Sequence, residues 1–286
     1  GLPEGVVRTL TDQAALNKWA SDETLGLITQ FPLEITPAIV IICGLIYVQG
    51  CTLILVPSSG TWSNAGNLSL SAGTLNLGGN FSNAGLGTFT RSGGTLNITG
   101  VMDNSGHTLD IGGAGLFGAG GLASITGSSA GISGGVIVSG DGTTLTLSGN
   151  PNLTSVTLGD ATRPNLTVSG GVALINGLTL ANGASISKGN GTWRFNGNGV
   201  QTLSTPGNAT LSSAGGGLYS ESAPAGNTTI QIGPGVTVQG YGTIGDSQSG
   251  QTWLNLGTIH ANTAGQSFTI NPATFNNSGT VLTSAG

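Results

Sequence analysis

"NFSNAGLGTFTRSGGTLNITG", residues 80 to 100, lies almost over the stretch before it, "TWSNAGNLSLSAGTLNLGG", residues 61 to 79. "SNAG" recurs at Asn64 and Asn83 and "DNSG" follows at Asn104, so the spacings are 19 and 21 residues. Between these markers lie "LSLS" at 68 to 71, "TLNLGG" at 74 to 79, "TLNITG" at 95 to 100 and "TLDIGG" at 108 to 113. In each, Leu or Ile alternates with Ser, Thr, Asn or Asp. A period of two puts one side of the segment in a core and the other in water. The strings end in Gly or Asn, which accept the positive backbone angle of a sharp corner.

The pattern runs on through "VIVSG" at 136, "TLTLSG" at 144, "NLTVSG" at 165, "LTLANG" at 178, "TIQIG" at 229, "VTVQGYG" at 236 and "TFNNSGTV" at 274. Two or three short strands every twenty residues are too few for a propeller blade, and a leucine-rich framework is absent. The spacing predicts an all-β chain wound as a parallel β-helix, or β-solenoid. Each coil buries its aliphatic residues and hydrogen-bonds to the coils above and below. Asn64, Asn83 and Asn104 then form an amide ladder at one turn. At about 4.8 Å per coil, roughly eleven coils make a rod of about 50 Å.

The composition agrees. Of 286 residues 53 are Gly and only 6% are charged, while 37% are hydrophobic. Such a chain needs repetitive structure to fold. The net charge of −5 and six scattered Lys and Arg exclude a phosphate-neutralising stripe, so no nucleic-acid partner is expected. The most apolar stretch, "PAIVIICGLIYVQGCTLILV" at 37 to 56, has the length of a membrane span. Its Gly44, Gln49, Gly50 and many β-branched residues instead suit consecutive buried strands, and no membrane span is expected. Cys43 and Cys51 are the only cysteines, and in an oxidising compartment they are candidates for a disulfide. Nine Asn-x-Ser/Thr sequons, Asn67 and Asn97 among them, follow from the Asn- and Thr-rich strands.

The two ends differ in texture. "TLTDQAALNKWASDE" at 9 to 23 reads as a short amphipathic helix, with Thr11 as N-cap, Asp12 in the first turn and Ala15, Leu16 and Trp19 on one face. Residues 1–57 are therefore expected to form an N-terminal cap and 58–286 the repeats. No basic-then-apolar leader opens the sequence, so a secretory signal is either removed or not included. At the other end "FTINPATFNNSGTVLTSAG" keeps the repeat to the last residue. Its open edge is expected to dock onto a second copy, head to tail. Val6 and Val7, in a segment able to add a strand, and Val281 and Leu282 are the candidate assembly residues.

The run "FSNAGLGTFTRSGGTLNITGVMDNSGHTLDIGG", from Phe81 to Gly113, resembles secreted bacterial β-solenoid proteins of the filamentous-haemagglutinin and autotransporter-passenger type. The resemblance covers roughly residues 58 to 286. It implies a right-handed parallel β-helix, export to the cell surface or medium, and a role in adhesion or surface structure. The "TDQAALNKWA" segment before buried strands looks like the helical cap of pectate-lyase-like β-helices.

Chemistry is sparse. Ten of the seventeen charged residues fall in the last 226 positions. Asp103, His107 and Asp110 in "DNSGHTLD" form the densest group and are expected to be turn and strand residues rather than a metal or proton-transfer site. Asp160 and Arg163 suggest a loop ion pair, while Lys188 and Arg194 flank "GNGTW", where Trp193 offers a stacking surface for an acidic sugar. No phosphate loop or Ca-binding nonapeptide occurs. No catalytic residue, metal or cofactor is expected. The sequence points to an extracellular structural subunit that polymerises with itself. An adhesin binding glycan or host surface is the alternative, and a tailspike-like polysaccharide-degrading enzyme is a minor one.

Overall fold

The computed structural model describes residues 8–10, 27–29, 33–35, 41–42, 45–57, 60–221, 228–247 and 250–284. The expected helix at 11–23 lies outside them, as do Val6, Val7 and Cys43. The described chain is an all-β parallel solenoid of about ten turns. Its one helical feature is a single 3-10 turn, Ala84–Leu86.

Each full turn has three faces. The first carries Asn80–Ser82, Val101–Asp103, Gly131–Ser133, Asn152–Thr154, Val172–Ile175 and Trp193–Asn196. The third runs from Thr74–Leu77 through Thr95–Ile98, Ser124–Thr126 and Leu145–Ser148 to Thr280–Thr283. The second face changes part-way. Its early strands, Leu45–Val48, Asn67–Leu70 and Thr88–Arg91, form one sheet. A separate stack begins at Thr108–Asp110 and ends at Thr274–Asn277. The look-alike strings therefore part company: "TLNL" and "TLNI" pair with each other on the third face, whereas "TLDI" opens the later second face.

Register is carried by identical inward columns. On the third face Leu53, Leu75 and Leu96 align, as do Leu55, Leu77, Ile98 and Ile125, all fully buried. Further along, Leu166, Ile186, Leu211, Val238 and Ile259 continue the core. Each such aliphatic side chain contributes about 1.5–3 kcal/mol, and a slip of one residue would turn the whole column outward. The apolar stretch at 37–56 forms the strands Ile41–Ile42, Leu45–Val48 and Thr52–Leu55, with Ile46, Val48, Leu53 and Leu55 fully buried. Among the described residues no helix is long and apolar enough to cross a membrane.

The earlier described segments enter the same ladders, since Arg8–Leu10 pairs with Leu33–Ile35, which pairs with Thr52–Leu55. Aromatic residues fill wider parts of the core. Trp62 stacks on Phe81 with ring centroids 4.9 Å apart, and Phe195 meets Trp253 edge-on at 6.0 Å. Corners abut closely: a Cβ on Gly100 would run into the Gly79 carbonyl of the preceding coil.

Candidate functional site

The corner asparagines act individually. Asn104 is fully buried, donates through Nδ2 to the carbonyls of His107 (3.2 Å) and Val136 (3.3 Å), and accepts from Asn83 Nδ2 at 3.0 Å. Asn64 does not bond to Asn83. It reaches the next coil directly through the Leu86 and Thr88 carbonyls, and accepts from Gly66 N–H. Asn255, also fully buried, repeats that geometry with the Thr280 carbonyl, Asn277 Oδ1 and Gly257 N–H. The sequence reading passed over Asn255, although it carries the same Asn-x-Gly spacing as Asn64. A second amide ladder, Asn76 to Asn97 to Ser124, runs along the outside of the third face.

The charges are mostly spent on turns. Asp103 accepts from Ser105 N–H rather than joining His107 and Asp110 in one site. Asp110 accepts from the amides of Gly112 and Gly140 and pairs with Arg163 at 3.2 Å. Asp160 closes its own loop on Thr162 and Arg163, with the carboxylate 2.7 Å from the Arg163 guanidinium. Desolvation opposes ionisation of Asp160, but the hydrogen bonds from Arg163 and Thr162 outweigh it and hold its pKa below the usual range. Asp141 is lowered to about 2 by the Thr143 hydroxyl and the amides of Gly113 and Thr143. Arg91 binds the backbone carbonyls of Gly93, Gly94, Phe117 and Gly121, pinning the glycine-rich excursion between Asp110 and Ser124. Asp246 accepts from Ser220, Trp253 and Ala273. Among the described residues no three His, Cys, Asp or Glu side chains converge to hold a metal.

Lys188 and Trp193 do not form the expected sugar surface, because alternation within their strands turns both inward. Lys188 is fully buried in the column of Val168 and Ser213. Its ammonium donates to the carbonyls of Gly189, Gly191 and Gly215, and burial lowers its pKa to about 8. Trp193 is 1% exposed between Val172 and Leu218. Arg194, the next residue, faces outward.

Arg194 stands in an outward column of the first face, Asn152, Ala173, Arg194, Tyr219. Its Nε lies 3.3 Å from Glu221 Oε2, and Nη1 donates to Asn150 Oδ1 at 3.3 Å. Ala173, small between longer neighbours, floors a lateral dent of about 330 Å³ walled by Ser128, Asn150, Asn152, Arg194, Asn196 and Glu221. No protein-family model, curated protein or solved structure matches this chain.

The other distinctive surface is the edge strand Thr280–Thr283. Val281 occupies the inward column of Leu166, Ile186, Leu211, Val238 and Ile259, which are at most 3% exposed, yet it is 47% exposed. Leu282, beside it, is 37% exposed. Cys51 is half-buried and carries a free thiol.

Proposed function

We propose that this chain is a structural β-solenoid of the cell surface or extracellular space, whose coils stack end to end onto a second copy. The reading draws on the resemblance to filamentous-haemagglutinin and autotransporter-passenger proteins, and takes the winding to be right-handed, as favoured for parallel crossovers. The observation that supports it is the in-register column Leu166, Ile186, Leu211, Val238, Ile259 and Val281, by which each coil pairs with and buries the one before it. A coil that repeats in register is the natural template for another such coil, and a heterologous contact that does not close produces fibres. Cohesion comes from backbone hydrogen bonds and aliphatic columns, while most of the charges serve turns. The role is thus assembly rather than catalysis, without cofactor or nucleic acid.

Electron microscopy of the purified protein across a concentration series tests this. Unbranched fibres with an axial repeat near one rod length, abolished by Val281→Asp, are expected. Dispersed rods at every concentration would overturn the reading.

A second reading, adhesion through the lateral surface, is favoured by the polar dent over Ala173. Its partner would be a glycan or host surface.

A further inference from the structure

We infer that the dent over Ala173 is a binding subsite for a neutral saccharide, an inference that rests on the lateral-adhesion reading. Charge is used sparingly in the repeats. Ten charged residues follow Thr61. Arg91 and Lys188 bind backbone carbonyls. Asp103, Asp110, Asp141, Asp160 and Asp246 accept backbone amides. Arg163 joins Asp110 to Asp160. Of these ten, only the side chains of Arg194 and Glu221 engage neither a backbone group nor a turn-closing aspartate. A chain this poor in charge places Arg194 on an open strand face and Glu221 just past the end of Ala209–Ser220, where an exposed ion pair adds little stability.

The surroundings are shaped to this pair. Asn150 sits in the left-handed region at φ +56°, a conformation that costs most residues and that Asn tolerates. Gly171 leaves room for its amide, since a Cβ there would strike Asn150 Oδ1. Asn152 is anchored by donation to the Ser128 carbonyl. Ala173 keeps the floor low between Asn152 and Arg194. Tyr219, half-buried one coil beyond Arg194, continues the column with its ring over Gly217 and Gly245.

The chemistry then selects the ligand. Amides, a guanidinium and a carboxylate offer donors and acceptors side by side, matching vicinal hydroxyls that each donate and accept. The arginine is already neutralised by Glu221, so a further carboxylate on the ligand would meet little net positive charge. A volume of about 330 Å³ lies at the small end of ligand sites, about 300–1,000 Å³. That size suits a short saccharide end rather than a peptide.

Saturation-transfer NMR on the intact chain, with methyl glycosides of mannose, galactose and N-acetylglucosamine and with glucuronate as probes, tests the assignment. At least one neutral glycoside is expected to bind. Ala173→Leu, which fills the floor and leaves every polar group in place, is expected to abolish the signal, and Arg194→Ala to weaken it about tenfold or more. Thr210→Ala, on the third face, should leave it unchanged, and circular dichroism should report the same strand content in all variants. Binding that survives Ala173→Leu overturns this site while leaving lateral adhesion standing. Glucuronate binding tighter than every neutral glycoside overturns the neutral-sugar assignment. No signal from any probe overturns both the site and the glycan form of the adhesion reading.

Discussion

Replacing Asn104 with Asp changes one NH2 group into oxygen and tests whether the corner amide is what joins successive coils. The side chain is fully buried, and its Nδ2 lies between the His107 and Val136 carbonyls at 3.2 and 3.3 Å. An ionised carboxylate there loses both donations, leaves two carbonyl oxygens facing a negative charge, and retains only the bond from Asn83. Two lost hydrogen bonds with their orphaned partners, together with a buried charge lacking a cation, sum to roughly 3–5 kcal/mol at neutral pH. The new carboxyl has a folded pKa raised above its unfolded value of about 3.9. Its deficit is therefore small below pH 4 and grows as pH rises toward the folded pKa. Bulk unfolding of a long repeat array is not reliably two-state, so hydrogen exchange of the amides between Val101 and Val138 is the appropriate assay. The expected result is opening accelerated on the order of 10³-fold at pH 7, with distant coils unaffected. Exchange within about threefold of the parent at pH 7 would refute the reasoning.

Two further outcomes follow from the same geometry. Lys188 has its pKa lowered by burial to about 8, against about 10.4 in an unfolded chain. The unfolded state binds more protons between those values, so stability of the coils around Lys188 should rise by roughly 3 kcal/mol from pH 8 to 10.5. In Lys188→Met thermal melts that slope should be absent, and an unchanged slope would assign it to other groups. Gly100→Ala drives a Cβ into the backbone carbonyl of Gly79, which cannot swing aside, and should cost about 3 kcal/mol or more. Gly106→Ala, where φ is +75° and no atom lies within 4 Å, should cost only the left-handed penalty of about 1–2 kcal/mol. Equal accelerations of local hydrogen exchange in the two variants would show that coil-to-coil contact is not what selects Gly100.

The period of two and the near-twenty-residue return were enough to specify a parallel solenoid, because both are local properties of the chain. So was the strand character of the apolar run at 37 to 56, where Gly and β-branched residues disfavour one long helix. The Asn-x-Gly corners were legible for the same reason, and Asn255 was within reach of that spacing. What the sequence left undecided depends on which residues meet from different coils. Asn83 and Asn104 bond to each other while Asn64 reaches backbone carbonyls, a difference that depends on how each corner sits above the next.

Lys188 and Arg194 are six residues apart and equally basic, yet alternation within separate strands turns one into the core and the other onto the flank. The dent over Ala173 draws its walls from positions 128 to 221, so local pattern shows none of it. The exposure of Val281 likewise emerges only beside its five buried column neighbours. Sequence periodicity determined the coil, since each coil is stabilised by its own repeat. Tertiary stacking decided the surface, because a side chain's surroundings in a solenoid belong mainly to the coils above and below it.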